Sequence, residues 1–447
     1  MPVVRHRHHR QRRQGHHPGG HRQRAGLARE QAVLGPEMLE GRRLLAAAVA
    51  PQFEVRWNEA AVRLAAKNVR VTQATTFGPV ALLQTASATL TIVNRGTADL
   101  QLHGDQPVRF QGKAAADFRI AALPETSVVP PGGSVSVDVT FAPQGLGVRQ
   151  AKVTVVTAVP IKRPQSFAIA GRGLAAPPIV DAPAAAGVRV RQVAPEYVGT
   201  GVYHALYLPT DWQPDATFPV IVEYPPNAWK PAGTTGRVED THLGYHQSQG
   251  TGFIWVTMPL ITTRGGRPRN STTWWDNGKA SDPAGQRLAV DYTKLNLPRI
   301  LEAFGGDPER VFVTGFSRGA IAAGYVALAD AEIANLWLGF LPHSFHDTAT
   351  NRLARIGGRA SFITYGQRDQ GASSSRSAAQ RLEQLGFPVE RHMIAGLGHS
   401  DRWILPGAGG PQAAAVRTAL REWLDWVMTE RPGRPQVAGL VVLPAAA

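Results

Sequence analysis

Residues 310–320 read RVFVTGFSRGA, an apolar run that enters Gly315-Phe316-Ser317-Arg318-Gly319 and continues into the small-residue stretch AIAAGYVALADA at 320–331. The pattern is strand, sharp turn, helix. A serine on such a turn holds a strained backbone, and flanking glycines let the neighbouring chain pass close by. Its hydroxyl projects clear of the sheet, while the N–H of Arg318 sits at a helix start, where developing negative charge is favoured. A Gly-x-Ser-x-Gly pentapeptide is weak evidence alone in a chain with 46 glycines, so its surroundings must carry the argument.

A weakly acidic serine needs a base to take its proton, and the base needs a carboxylate to fix its tautomer. Residues 359–369 (RASFITYGQRD) form an apolar strand ending in Gly and then Asp369. Residues 389–399 (VERHMIAGLGH) form another strand ending in a glycine-flanked His399. A helical stretch at 377–386 (SAAQRLEQLG) separates them, and an amphipathic helix around 418–428 (TALREWLDWVM) follows. Ser317, Asp369 and His399 are the candidate catalytic residues. Asp347, after the preceding strand, is the alternative acid. His343 and His346 read as satisfied loop or core histidines, and Asp401 as a surface charge.

The second donor for an oxyanion is expected after the strand FPVIVEY at 218–224, where the chain continues Pro225-Pro226-Asn227-Ala228-Trp229. Prolines have no N–H to give. That leaves Asn227, Ala228 or Tyr224, of which Asn227 is named beside Arg318. Trp274 and Trp275, in a long polar loop, are candidates for a stacking wall against a sugar or an aromatic acyl group; covering the sheet edge is the equal alternative. Arg237 and Glu239 are candidates for the cleft border.

About 230 residues, from VYHALYLPTDWQPDATFPVIVEY at 202–224 to GLGHSD at 396–401, resemble the α/β-hydrolase family. The likeness is to secreted esterase-type members with the Leu-Pro-x-Asp-Trp opening, here at 208–212, that is often seen in planctomycete proteins. The Tyr-Pro-Pro turn departs from the family pattern where many esterases have His-Gly-Gly. The resemblance implies hydrolysis through an acyl-enzyme without metal or cofactor. No His/Asp/Glu spacing suggests a metal site, and no glycine-rich phosphate loop follows a strand.

Upstream, residues 53–173 change to short β-branched runs between turn signals. ATLTIV at 88–93 precedes the turn Asn94-Arg95-Gly96, and SVSVDVTF at 134–141 alternates with period two after PPGG at 130–133. Strands spaced by about ten residues predict an antiparallel sandwich. The succession FGPV (77–80), TLTIVNRGTADLQL (89–102), Asp117-Phe118, PPGGSVSVDVTFAPQGLG (130–147) and FAIAGRG (167–173) resembles the Ig-like sandwich of the choice-of-anchor D and ASH group. That resemblance implies a spacer or adhesion module of secreted or surface proteins.

The expected organisation is multidomain: residues 52–173 an all-β sandwich, 174–190 an exposed Ala/Pro linker, 191–430 a mostly parallel sheet covered by helices on both faces, and 431–447 a tail. Residues 1–51 read as a disordered basic export segment. Of the formal charge of +15 over 447 residues, residues 1–50 hold +7 from ten Arg and three Glu, together with six of the 14 His. Without interleaved aromatics this basic tail does not read as a nucleic-acid site. At 34–50, LGPEMLEGRRLLAAAVA resembles the LEPR-XLL motif of exported planctomycete proteins, with Gly41 where that motif has Pro. The chain has no run of 18 apolar residues, so no membrane-spanning helix is expected, and having no cysteine excludes disulfides and thiolate chemistry. The sequence thus predicts an exported serine hydrolase of carboxylic esters, acylated carbohydrates among them, needing no cofactor or metal, with surface contact through the sandwich. A peptidase of prolyl-oligopeptidase type and a catalytically idle adhesion protein are the alternatives.

Overall fold

A computed structural model describes residues 52–65, 69–103, 105–158, 165–273, 283–344 and 349–433. The anticipated export segment, Trp274, Trp275, His346, Asp347 and the tail beyond residue 433 lie outside these.

The N-terminal part of the described chain is a two-sheet sandwich. One sheet orders Ala60–Val62, Phe53–Trp57, Ala86–Asn94, Ser134–Phe141 and Phe118–Ile120, all antiparallel; the other orders Thr76–Ala81, Ser166–Leu174, Gly147–Val155 and Val108–Gln111. The period-two reading of 134–141 holds, because Val137, Val139 and Phe141 are buried and lie opposite Leu90, Ala88 and Ala86. Phe77, Phe118 and Phe141 gather with Trp57 at the centre. One pairing departs from an antiparallel plan: Thr76–Ala81 runs parallel to Ser166–Leu174, with a register shift between Ala170 and Arg172.

The second half is built on a nine-stranded sheet. Its strands are β1 (Ile179–Val180), β2 (Arg189–Gln192), β3 (His204–Tyr207), β4 (Phe218–Tyr224), β5 (Ile254–Thr257), β6 (Gly306–Phe316), β7 (Gly339–His343), β8 (Ala360–Gly366) and β9 (Val389–Ile394). They lie in the order β1-β2-β3-β5-β4-β6-β7-β8-β9, and only the pairings of β3 with β2 and β5 are antiparallel. Helices α1 (Leu243–Gln247), α2 (Pro283–Phe304), α3 (Arg318–Tyr325), α4 (Ala372–Gln384) and α5 (Gly410–Glu430) cover it. The central strands are mostly apolar because both faces are covered. Val220, Val222, Val311 and Val313 point toward the layer of α2, α3 and α4, while Ile221 and Phe312 point toward α1 and α5.

The stretch at 174–190 corrects the expectation of an exposed linker. Residues 181–183 are exposed, but Ala176 is buried, β1 joins the sheet as its edge strand, and the carbonyl of Ala175 accepts from His246 Nε2 at 2.7 Å. The sandwich is docked by the turn after Thr76–Ala81. Leu82 is buried among Ile221, Leu243 and Phe312, its carbonyl accepts from Tyr245 Oη at 2.9 Å, and Gln84 donates to the Gly187 carbonyl at 3.2 Å. Behind this contact Trp255 donates to buried Glu223 at 3.0 Å, and Arg189 lies 3.9 Å over its ring. Burial pushes Glu223 up from the usual carboxylate range and Arg189 down to about 10. Glu223 also accepts the N–H groups of Leu243 and Gly244 at the start of α1, which fixes that helix beside the end of β4.

Candidate active site

Ser317 joins β6 to α3 with φ +56° and ψ −120°, outside the backbone regions that a serine prefers. The turn survives because its neighbours are glycines. A Cβ on Gly315 would meet the carbonyl carbon of Gly319 at 2.3 Å, and one on Gly319 would meet the Tyr224 carbonyl oxygen at 2.1 Å. The strained turn is therefore wedged between the ends of β4 and β6. The Ser317 N–H is tied to the His343 carbonyl at 3.0 Å, at the end of β7.

The next two strands bring in the other candidates. After β8, Gln367 and Arg368 donate backbone N–H groups to the Ile394 and Leu397 carbonyls, each at 2.9 Å, so the turns after β8 and β9 are laced together. Asp369 and His399 face one another across that seam. His399 Nδ1 lies 2.9 Å from Asp369 Oδ1, and His399 Nε2 lies 2.8 Å from Ser317 Oγ. The side chain of Asp369 is fully buried and that of His399 is 7% exposed. Burial works against the Asp369 charge, yet hydrogen bonds from His399, Ser344 and the Gly371 N–H hold its carboxyl below the usual range. A buried ionised carboxylate, an imidazole fixed by it and a hydroxyl in line form a relay that can take a proton from the hydroxyl and return it to a leaving group.

The sequence reading missed two residues of this cluster. Ser344 Oγ lies 2.8 Å from His399 Nδ1 and donates to Asp369 Oδ2. Trp229 stands edge-on to His399 with ring centroids 5.1 Å apart and is 38% exposed, which makes it an aromatic wall at the relay. A lone serine after an apolar strand has no spacing signal, whereas Trp229 had one in its place on the turn after β4.

Arg318 occupies the first position of α3, where the backbone N–H has no partner within the helix. On the opposite turn, Ala228 gives its N–H to the Thr272 carbonyl at 2.7 Å, which removes it as an oxyanion donor. Tyr224 is paired with Gly315 inside the sheet. Asn227 is buried, and its carbonyl accepts from Thr234 Oγ1 at 2.7 Å. Of the anticipated histidines, His343 is buried with both ring nitrogens satisfied, by Thr364 Oγ1 at 2.6 Å and the Ser400 carbonyl at 2.9 Å. Asp401 is not a surface charge: it is buried, 3.6 Å from His242 Nε2. Arg237 lines a cleft of about 390 Å³ that Arg172 and Gly173 of the sandwich share with Asp401 and Arg402; Ser317, Asp369 and His399 do not line it. Glu239 instead accepts from Tyr203 Oη at 2.5 Å. Among the described residues no group of three His, Cys, Asp or Glu is placed to hold a metal ion.

Residues 68–171 match the model of the HYDIN/CFA65/VesB-like, Ig-like domain. No curated protein matches the chain. Among solved structures, a thermostable esterase is similar at 14% identity and TM-score 0.43, covering 80% of this chain and 99% of that one. A thermophilic esterase from the Planctomycetes species Thermogutta terrifontis, with propionate bound, is similar at 14% identity and TM-score 0.38, covering 53% of this chain and 93% of that one. A carboxylesterase from Bacillus cereus is similar at 15% identity and TM-score 0.33, covering 50% and 93%. The fold itself is an Ig-like β-sandwich followed by an α/β-hydrolase sheet, as the strand order lays out.

Proposed function

We propose that the chain is a serine hydrolase of carboxylic esters that works through an acyl-enzyme. The observation that carries this reading is the unbroken line from Ser317 Oγ to His399 Nε2 at 2.8 Å and from His399 Nδ1 to Asp369 Oδ1 at 2.9 Å, seated on a strained strand-to-helix turn. Ser317 attacks the acyl carbon as His399 takes its proton. Asp369 orients the imidazole and stabilises the imidazolium, and His399 then protonates the departing alkoxide. The N–H groups of Arg318 and Asn227 hold the oxyanion. Water, deprotonated by His399, releases the acid and restores Ser317. Trp229 beside His399 suits an acyl or sugar ring stacked at the relay, which supports an acylated carbohydrate as substrate. Export, and a choice-of-anchor D or ASH role for the sandwich in keeping the enzyme at a surface, complete the proposal.

The test is to treat the purified chain and its Ser317→Ala variant with short-chain aryl esters and a fluorophosphonate probe. Turnover and labelling that both vanish in the variant bear the proposal out. A folded wild type that neither labels nor turns over any ester would overturn it.

A further inference from the structure

Ser344 immediately follows β7, one strand earlier than Asp369. It is fully buried, it adopts φ +64°, and its N–H is tied to the Thr364 carbonyl of β8 at 2.8 Å. A serine in the left-handed region costs on the order of 1 kcal/mol, and here that conformation aims the hydroxyl at the relay. Ser344 Oγ donates to Asp369 Oδ2 and lies 2.8 Å from His399 Nδ1. Asp369 Oδ1 meanwhile receives His399 Nδ1 at 2.9 Å and the Gly371 N–H at 2.7 Å. Both carboxylate oxygens are thereby held, and Nδ1 lies within hydrogen-bond distance of both a carboxylate oxygen and a hydroxyl oxygen.

We propose that Ser344 is a positioning residue of the relay, a second anchor that fixes Asp369 and His399 together and weakens the pull of the carboxylate on the imidazole proton. The inference rests on the hydrolase reading above. Its physical basis is that a hydroxyl donating to a carboxylate disperses the negative charge, so the carboxylate holds the imidazolium less tightly. Among the described residues, the ring neighbours of His399 do not supply this effect. Phe316 lies tilted on it at 4.7 Å and Trp229 stands at 5.1 Å, both uncharged. His343, stacked on Phe316, is pushed below the usual histidine range by burial, and Asp401 faces His242.

Two variants separate the hydroxyl from the backbone. Ser344→Ala keeps the Cβ and loses the hydroxyl, while Ser344→Gly also relaxes the left-handed conformation. Both are expected to lower kcat on an aryl ester roughly tenfold, to change KM by less than about twofold, and to move the acidic limb of the pH profile to higher pH. The hydrogen-bonded Nδ1 proton of His399, identified in the proton NMR spectrum by its absence in His399→Gln, should shift in both variants. Unchanged kcat, acidic limb and resonance in folded variants would overturn the proposal, as would a loss in Ser344→Ala that Ser344→Gly restores, because strain would then be the cause. If the wild type hydrolyses no ester, the hydrolase reading fails, and the resonance alone still decides whether Ser344 shares the Nδ1 proton.

Discussion

The sandwich and the α/β sheet both bury carboxylates, and they use them differently. Asp117 in the sandwich is fixed by Arg149, whose Nε donates to Oδ2 at 2.6 Å and whose terminal nitrogen donates to Oδ1 at 3.1 Å, and by the Gln144 N–H, which donates to Oδ2 at 3.3 Å. Asn94, likewise buried, spends its amide on the Ala98 and Val129 carbonyls. These groups close turns and go no further. Asp369 also has partners on both oxygens, but one of them is an imidazole whose other nitrogen faces a hydroxyl. Buried polarity that ends in backbone or in a single ion pair holds a fold together. Buried polarity that is relayed outward to a reactive group at strand ends can perform chemistry.

The sharpest way to break this comparison is to neutralise each carboxylate in turn. Asp369→Asn should cost about 10⁴-fold in kcat through the wrong imidazole tautomer while shifting the melting temperature little; an active Asp369→Asn enzyme would show that the relay runs elsewhere. Leu82→Ala, at the seam between the two halves, should cost about 3 kcal/mol of unfolding free energy, read from chemical denaturation, and a cost near zero would mean the seam is not packed in solution. Asp117→Asn should remove about 2 kcal/mol of stability and leave ester turnover per folded molecule unchanged; lost turnover would contradict the division of labour drawn above.

The most gradual effect is a pH dependence of the α/β half. Burial lowers His204 to about 4 and His246 to about 3. Unfolded histidine titrates near 6.5, so below that value the unfolded chain binds protons that the native one refuses. This stability is complete above about pH 6.5 and is lost as pH falls toward 4, on the order of 1 kcal/mol per pH unit for each group. A melting temperature that stays level from pH 7 to about pH 4.5 would mean that these rings are not held neutral.

The sequence made the strand-ends legible and left the seams obscure. That Ser317, Asp369 and His399 lie together was legible because each follows an apolar run and has glycine close by, a local pattern that reports a turn at a sheet edge. The strand at 134–141 was legible for a similar reason, since its alternation mirrors the two faces of the sandwich. Ser344 was not, because its importance lies in a left-handed φ and two contacts 25 and 55 residues distant. The docked linker was misread because Ala and Pro mark an exposed connection by composition, whereas what decides its fate is the edge of β2 and the buried His246. Leu82 carries no local signal, because its partners Ile221 and Phe312 lie far along the chain.

The docked turn at Leu82 also bears on how such a chain can be shuffled in evolution. A recombination break between 180 and 189 would sever the pairing of β1 with β2 and leave Leu243, Tyr245 and Trp255 without their cover. The α/β half is therefore not a free cassette. Inheriting it productively means inheriting the turn of the sandwich that plugs it, so lineages that exchange the front domain must bring along, or reinvent, an apolar residue at that one position.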